Sequence, residues 1–250
     1  DEKMVLDGTP SFGAPHHTTS AGALLGGGGG VSRPGELSLA HRGCLFMDEL
    51  FEWSRSLLEA LREPLEDGVV RVARSKATVA YPARVQMVAA ANPCPCGGGE
   101  ACDCADEAIW AYRARLSGPL ADRLDLAPSV APLTADDLLT SRPGETSAAV
   151  ARRVAAARAV AADRWGAGQT NADVAISAIR ATVERRALQR VALAVERGEL
   201  TGRGYDRALR VARTCADLAG AEAVDRDHVW EALAHRAALR RSRRAGGGVR

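Results

Sequence analysis

The most constraining stretch of the chain is Gly43-Cys44-Leu45-Phe46-Met47-Asp48-Glu49-Leu50, a short apolar run that ends in two adjacent carboxylates. A continuous apolar run of this length reads as a parallel strand covered on both faces. The C-terminal end of such a strand is where open α/β sheets place their ligands. Asp48 at that point can hold Mg²⁺, directly or through water, and Glu49 can orient an attacking water, which is the pattern of a Walker B motif. The plainer alternative is a strand followed by an acidic helix N-terminus, where carboxylates favour the helix dipole.

The segments around this strand predict the following elements. Residues 1–15 are irregular, with Gly8, Pro10, Gly13 and Pro15. His16 and His17 on extended backbone point opposite ways and make a poor metal pair. Thr19 or Ser20 caps a short helix through Leu25. The five glycines Gly26 to Gly30 do not form a phosphate loop, which needs G-x-x-x-x-G-K-[ST]. Lysine occurs only at positions 3 and 76, so the run reads as a flexible loop. Residues 55–66 predict one amphipathic helix, with Leu57, Leu58, Leu61 and Leu65 on one face. Val69 to Val72 and Thr78 to Tyr81 predict a β-hairpin. Arg71, Arg74 and Lys76 fall near its tip, either simply solvated or touching a substrate. Val85 to Ala91 predicts a second buried strand that ends in Asn92-Pro93. An Asn there can hydrogen-bond an attacking water or a γ-phosphate, or serve only as a turn.

Four of the six cysteines fall within eleven residues, as Cys94, Cys96, Cys102 and Cys104. That clustering does not look like a secreted disulfide framework. It offers four soft ligands for a tetrahedral Zn²⁺ that would order a glycine-rich loop; the alternative is a reduced, metal-free loop. Residues 106–116 predict a helix, and 117–126 a turn and an edge strand. Arg123, in that segment, is either an ion-pair partner or an arginine offered to a neighbouring subunit's phosphate. Pro128, Pro132, Pro143 and Gly144 mark a linker, with a domain boundary near 140. Four helices follow, Ala148 to Trp165, Ile176 to Arg197, Tyr205 to Gly220 and Asp225 to Arg241, and make a small bundle. Arg203, just before the third, can reach over a nucleotide or remain solvated.

The chain is long enough for one large or two ordinary domains. No apolar run is long enough to cross a membrane and no signal peptide opens the chain, so a cytoplasmic protein is expected. Residues 1–150 hold 13 basic and 20 acidic side chains, and residues 151–250 hold 20 and 11, so the halves differ in sign at −7 and +9. The basic half ends in Arg240-Arg241-Ser242-Arg243-Arg244, a touchpoint for nucleic acid or an acidic subunit, or a disordered basic tail.

Taken in order, several segments resemble those of ComM/YifB-type proteins, the bacterial magnesium-chelatase-like AAA+ ATPases. They are Ala14-Pro15-His16-His17-Thr18, Arg33-Pro34-Gly35-Glu36-Leu37-Ser38-Leu39-Ala40-His41-Arg42-Gly43, the Leu45 to Leu50 strand, Ala60-Leu61-Arg62-Glu63-Pro64-Leu65-Glu66, Tyr81-Pro82-Ala83-Arg84, Ala90-Ala91-Asn92-Pro93-Cys94-Pro95-Cys96-Gly97, the Leu116 to Asp125 segment, and Gly204-Tyr205-Asp206-Arg207 with Val211-Ala212-Arg213-Thr214. The resemblance covers roughly residues 10 to 240, and it implies an α/β fold. Residues 1–140 would be a partial AAA+ P-loop-type core, a parallel sheet with helices, a helix-2 insert and a β-hairpin. Residues 141–241 would be an all-α lid bundle and 242–250 a basic tail.

The resemblance also implies a hexameric, ATP-driven motor that works on DNA, as branch-migration helicases do. Asp48 and Glu49 match Walker B, with Asp48 toward Mg²⁺. Asn92 matches sensor 1, Arg123 the arginine finger acting on the next subunit's ATP, and Arg203 the sensor 2 arginine. The hairpin and the insert lie toward the central pore in this family, which gives Arg71, Arg74 and Lys76 a DNA role. Two departures stand out. The family's Walker A loop lies upstream of the first matched motif, so a fragment with negligible ATPase activity alone is expected. Ser11-Phe12-Gly13 stands where Pro-Phe-Arg is expected. A non-catalytic remnant that binds sister subunits or DNA, and a metal-chelatase motor subunit, are the alternative readings. A zinc-dependent enzyme is disfavoured, because four cysteines leave no open position for water.

Overall fold

The computed structural model describes residues 10–27, 32–73, 78–98, 102–140 and 144–239. These divide into two compact units, one ending at Arg123 and one beginning at Leu124.

The first unit is built on a parallel three-stranded sheet. β1 (Phe12–Gly13), β4 (Cys44–Met47) and β7 (Gln86–Ala89) lie in the order β1-β4-β7. β4 is central, with Leu45 and Met47 fully buried. Gly43 lets β1 approach: a Cβ there would stand 2.0 Å from the Ser11 carbonyl oxygen, which accepts the Cys44 N–H at 2.8 Å. The expected second buried strand is only partly so. Val88 is 40% exposed, because β7 pairs with β4 on one side and, among the described residues, with nothing on the other.

Between β1 and β4, Ser20 caps α1 (Ala21–Leu25). β2 (Gly26–Gly27) and β3 (Arg33–Pro34) pair antiparallel, and α2 (Glu36–Leu39) leads into β4. After β4, the expected single helix is two, α3 (Arg55–Ala60) and α4 (Arg62–Asp67). Pro64 explains the break. It has no N–H to donate, and its ring crowds the carbonyl four residues back, at Ala60, so the helix restarts with Pro64 in a first turn, where the missing donor is not needed. Trp53, Leu57, Leu58 and Leu61 are still buried. β5 (Val69–Ala73) and β6 (Thr78–Pro82) form the expected hairpin, with Val72 opposite Val79. α5 (Asp106–Arg113) and α6 (Gly118–Ala121), the latter capped by Ser117, complete the unit.

The second unit is helical. Where an edge strand was expected at 124–126, the chain is irregular, and the Arg236 guanidinium donates to the carbonyls of Leu124 and Asp125. The expected linker contains a short helix, α7 (Ala135–Thr140). α8 (Ser147–Trp165) follows the prediction. The expected second helix divides into α9 (Ile176–Ala181) and α10 (Arg185–Glu196). The interruption at Val183 pairs with Val224, as the Val224 N–H donates to the Thr182 carbonyl and the Glu184 N–H to the Val224 carbonyl, each at 2.9 Å. α11 (Gly202–Leu218) starts earlier than expected, capped by Thr201, so Arg203 lies in its first turn. α12 (Arg226–Ala234) is capped by Asp225 in a capping box with His228. Small side chains of α11, Ala208, Ala212 and Ala216, are essentially inaccessible, at the spacing that lines one helix face.

No helix among the described residues is long and apolar enough to cross a membrane.

Candidate functional site

Asp48 and Glu49 leave the C-terminal end of β4 and are exposed. A short 3-10 helix, Leu50–Glu52, follows with Glu49 at its N-cap position and no side-chain cap hydrogen bond, so the plainer alternative of an acidic helix N-terminus holds in part. Glu49 sits in the left-handed region at φ 49° and ψ 48°, which costs a side-chain-bearing residue roughly 1 kcal/mol. Neighbouring groups hold it there. Its N–H donates to Asp48 Oδ1 at 2.9 Å, and its carbonyl accepts the Glu52 N–H at 2.7 Å. The buried Trp53 indole donates to the Asp48 carbonyl at 3.0 Å.

The Glu49 carboxylate meets His17, Nδ1 to Oε2 at 2.9 Å. A turn at 17–18 stacks the two imidazoles of His16 and His17, 4.0 Å between centroids, whereas an extended backbone would have separated them. His16 Nδ1 in turn meets Thr18 Oγ1 at 2.9 Å. Nothing in the sequence spacing pairs His17 with Glu49, so no local pattern marks His17 as a site residue.

Asn92 lies just past β7. The two strands stay paired beyond their ends, because the Ala90 N–H donates to the Met47 carbonyl at 3.0 Å and the Leu50 N–H to the Ala90 carbonyl at 2.8 Å. The carboxylate pair and Asn92 therefore leave adjacent parallel strands at the same end of the sheet. The cysteine loop begins two residues later. Cys94, Cys96, Cys102 and Cys104 place their sulfurs within 4.8 Å of one another, a set able to hold a metal ion. All four are free thiols. The thiol hydrogen bonds from Cys102 and Cys96 pull Cys94 down to about 7. Cys102, sharing protons with its neighbours, is pushed up to about 12 despite the N–H it receives from Cys104.

The arginines are held in different ways. Arg123 is nearly buried. Its Nε donates to the Arg62 carbonyl and its Nη1 to the Pro119 carbonyl, both at 2.7 Å, and Glu66 lies 3.3 Å away. Arg203 is exposed on α11. Of its neighbours, Arg207 pairs with Asp125 at 2.8 Å, and Arg210 donates to the carbonyls of Asn171 and Ala172. Arg71 is not at the hairpin tip but on β5, bound to Asp67 at 2.7 Å and Glu63 at 2.8 Å. These carboxylates, Asp67 first, raise its pKa above the ordinary arginine value. Arg74 and Lys76 lie outside the described residues, as does the basic C-terminal tail.

Residues 2–138 match the family model of magnesium chelatase, subunit ChlI, and residues 144–236 that of the ChlI C-terminal region. An uncharacterized protein of Mycobacterium tuberculosis is 47% identical over 233 residues, which is 91% of this chain and 46% of that protein. Competence protein ComM of Haemophilus influenzae is 41% identical over 241 residues, 92% of this chain and 45% of ComM. The uncharacterized protein YifB of Escherichia coli is 41% identical over 233 residues, 90% of this chain and 45% of YifB. The chain spans about half the length of these relatives.

Proposed function

The chain belongs to the magnesium chelatase subunit ChlI family, and from that premise we propose that it forms part of an ATP-hydrolysing AAA+ motor of the ComM/YifB type, working on DNA as a hexameric ring. The observation that carries the proposal is the exit of Asp48-Glu49 and Asn92 from the same end of adjacent parallel strands. Phosphoanhydride hydrolysis needs a metal-holding carboxylate, a group that orients water and cationic charge around the phosphates. In this reading Asp48 holds Mg²⁺. It accepts one N–H, and a carboxylate has acceptor capacity for more. Glu49 and Asn92 orient the water. ATP bound with Mg²⁺ supplies the reactive phosphoanhydride. Arg123 would serve the next subunit's phosphate, exchanging a carbonyl contact to do so, and Arg203 would close the lid. Arg71, Arg74 and Lys76 would face DNA, with Arg71 first released from Asp67 and Glu63. The four-cysteine group is a second metal site in this reading, and its thiolate donors select Zn²⁺.

These 250 residues contain no G-x-x-x-x-G-K-[ST] sequence, so the reading takes the phosphate loop from residues outside them. The open edge of β7 is where a further parallel strand would join the sheet. Joined behind a relative's phosphate-loop segment, the chain should hydrolyse ATP, and Glu49→Gln should lower turnover by about 100-fold or more. Turnover that is unchanged in Glu49→Gln would defeat the proposal.

A further inference from the structure

The cysteine loop turns back close to the Asn92 side chain. No strand or helix is described between Ala89 and Asp106. Cys94 is the buried residue of the loop. The Gly97 N–H donates to the Cys94 carbonyl at 3.1 Å, and Gly97 has φ +68°. This turn passes close to the Asn92 side chain, within the reach of one added methyl: a Cβ on Gly97 would stand 3.7 Å from Asn92 Nδ2. Arg113 fixes the other side of the junction, with Nε donating to the Pro93 carbonyl at 2.8 Å.

The sulfur geometry fits a four-thiolate ion. Metal–sulfur bonds of about 2.3 Å in a tetrahedron separate the sulfurs by roughly 3.8 Å. Cys94 and Cys96 are at 3.4 Å, Cys96 and Cys102 at 3.6 Å, and every pair lies within 4.8 Å, so closure needs shifts of about 1 Å. Backbone donors already serve two of the sulfurs: the Gly98 N–H meets Cys96 at 3.3 Å, and the Cys104 N–H meets Cys102 at 3.4 Å. Such donors favour the thiolate form that a metal requires.

We propose that one Zn²⁺ on Cys94, Cys96, Cys102 and Cys104 fixes the turn that backs Asn92, so that metal loading of this loop sets the placement of the Asn92 amide. The functional weight of that placement rests on Asn92 belonging to the nucleotide site. Loading exchanges four thiol protons for one Zn²⁺ and leaves a closed, redox-inert site with no water position. Emptying the site releases the turn beside Asn92.

The test uses the full 250-residue chain, reduced and loaded with Zn²⁺. Elemental analysis should find about one equivalent of zinc. Cys96→Ser/Cys102→Ser should lose it, while Cys44→Ser and Cys215→Ser, which lie outside the cluster, should keep it. On chelation, the side-chain amide resonances of Asn92, identified by their loss in Asn92→Asp, should move. Amides of residues 92–98 should exchange with solvent at least about tenfold faster, while those of α11 stay unchanged. Failure of the reduced chain to take up zinc overturns the proposal. So does bound zinc whose removal leaves both the Asn92 resonances and the 92–98 exchange unmoved. Neither readout involves nucleotide, so they fail separately from the ATPase reading, which the Glu49→Gln experiment decides.

Discussion

Asp217 is the residue on which the helical unit is most exposed to a single substitution. Its carboxylate, with side-chain exposure of 1%, accepts from Arg164 at 2.7 Å, from Arg213 at 3.0 Å and from Asn171 at 2.8 Å. Arg164 is 19% exposed and can turn toward water. Arg213 is wholly buried and cannot. Burial pushes its pKa below the ordinary arginine value, and Asp217 opposes that push. Asp217→Ala therefore leaves a buried guanidinium without its counter-charge. Removing one partner of a buried pair costs about 3–5 kcal/mol. For a domain of this size that is a fall in Tm of roughly 12–20 °C. Calorimetry of the parent and variant measures it. The double variant Arg213→Met/Asp217→Leu removes the stranded charge. It should recover part of the loss, remaining about 2 kcal/mol below the parent for the Ala221 and Glu222 carbonyls that lose their donor. An Asp217→Ala protein within about 1 kcal/mol of the parent would refute the reasoning, because that is the range of a solvated pair.

Two further outcomes follow from single contacts. His17→Ala removes a polar contact to Glu49, whose side chain is 50% exposed. Stability should change by under about 1 kcal/mol, while turnover in the phosphate-loop-joined protein should fall about tenfold as Glu49 loses its hold; equal turnover would make the pair incidental. Asp225 caps α12, and hydrogen bonding from the His228 backbone holds its pKa below the ordinary Asp value. Its contribution is therefore present above the unfolded-state value and is lost as pH falls through the lower folded one. The protection of amides 226–229, taken relative to their intrinsic exchange rates, should thus fall as pH is lowered below about 4, and Asp225→Ala should produce the same loosening at neutral pH.

The chemistry-bearing residues were legible where a local pattern carries them. An apolar run that stops in two acids, a second run that stops in Asn, and four cysteines in one loop each announce themselves within a dozen residues. What the sequence hid is long-range. His17 meets Glu49 across an intervening insert. Val183 interrupts a helical pattern only because Val224 pairs with the chain there. Arg213 and Asp217 stand at an ordinary helical spacing, four apart, where charged side chains are usually solvated; their burial comes from the helices packed around them. The α3/α4 break is different. Pro64 signalled it, and the leucine face that spans both helices masked the signal.

The described structure also separates what holds the site from what would act in it. Asp48, Glu49 and Asn92 are placed by backbone hydrogen bonds that run past the ends of β4 and β7, and by an indole on the Asp48 carbonyl. Their side chains do little packing; all three are exposed. Arg123 is the reverse, a nearly buried side chain whose contacts bind Arg62, Pro119 and Glu66 together. Under the proposed function, substitution at Asp48, Glu49 or Asn92 should therefore lower turnover with little effect on the fold. Substitution at Arg123 perturbs both, and loss of activity there is evidence for an arginine finger only when the stability of the subunit is measured beside it. The strain at Glu49 points the same way. A left-handed residue with a large side chain is kept at a cost of roughly 1 kcal/mol, at the position where the neighbouring strand end, the 3-10 turn and His17 converge.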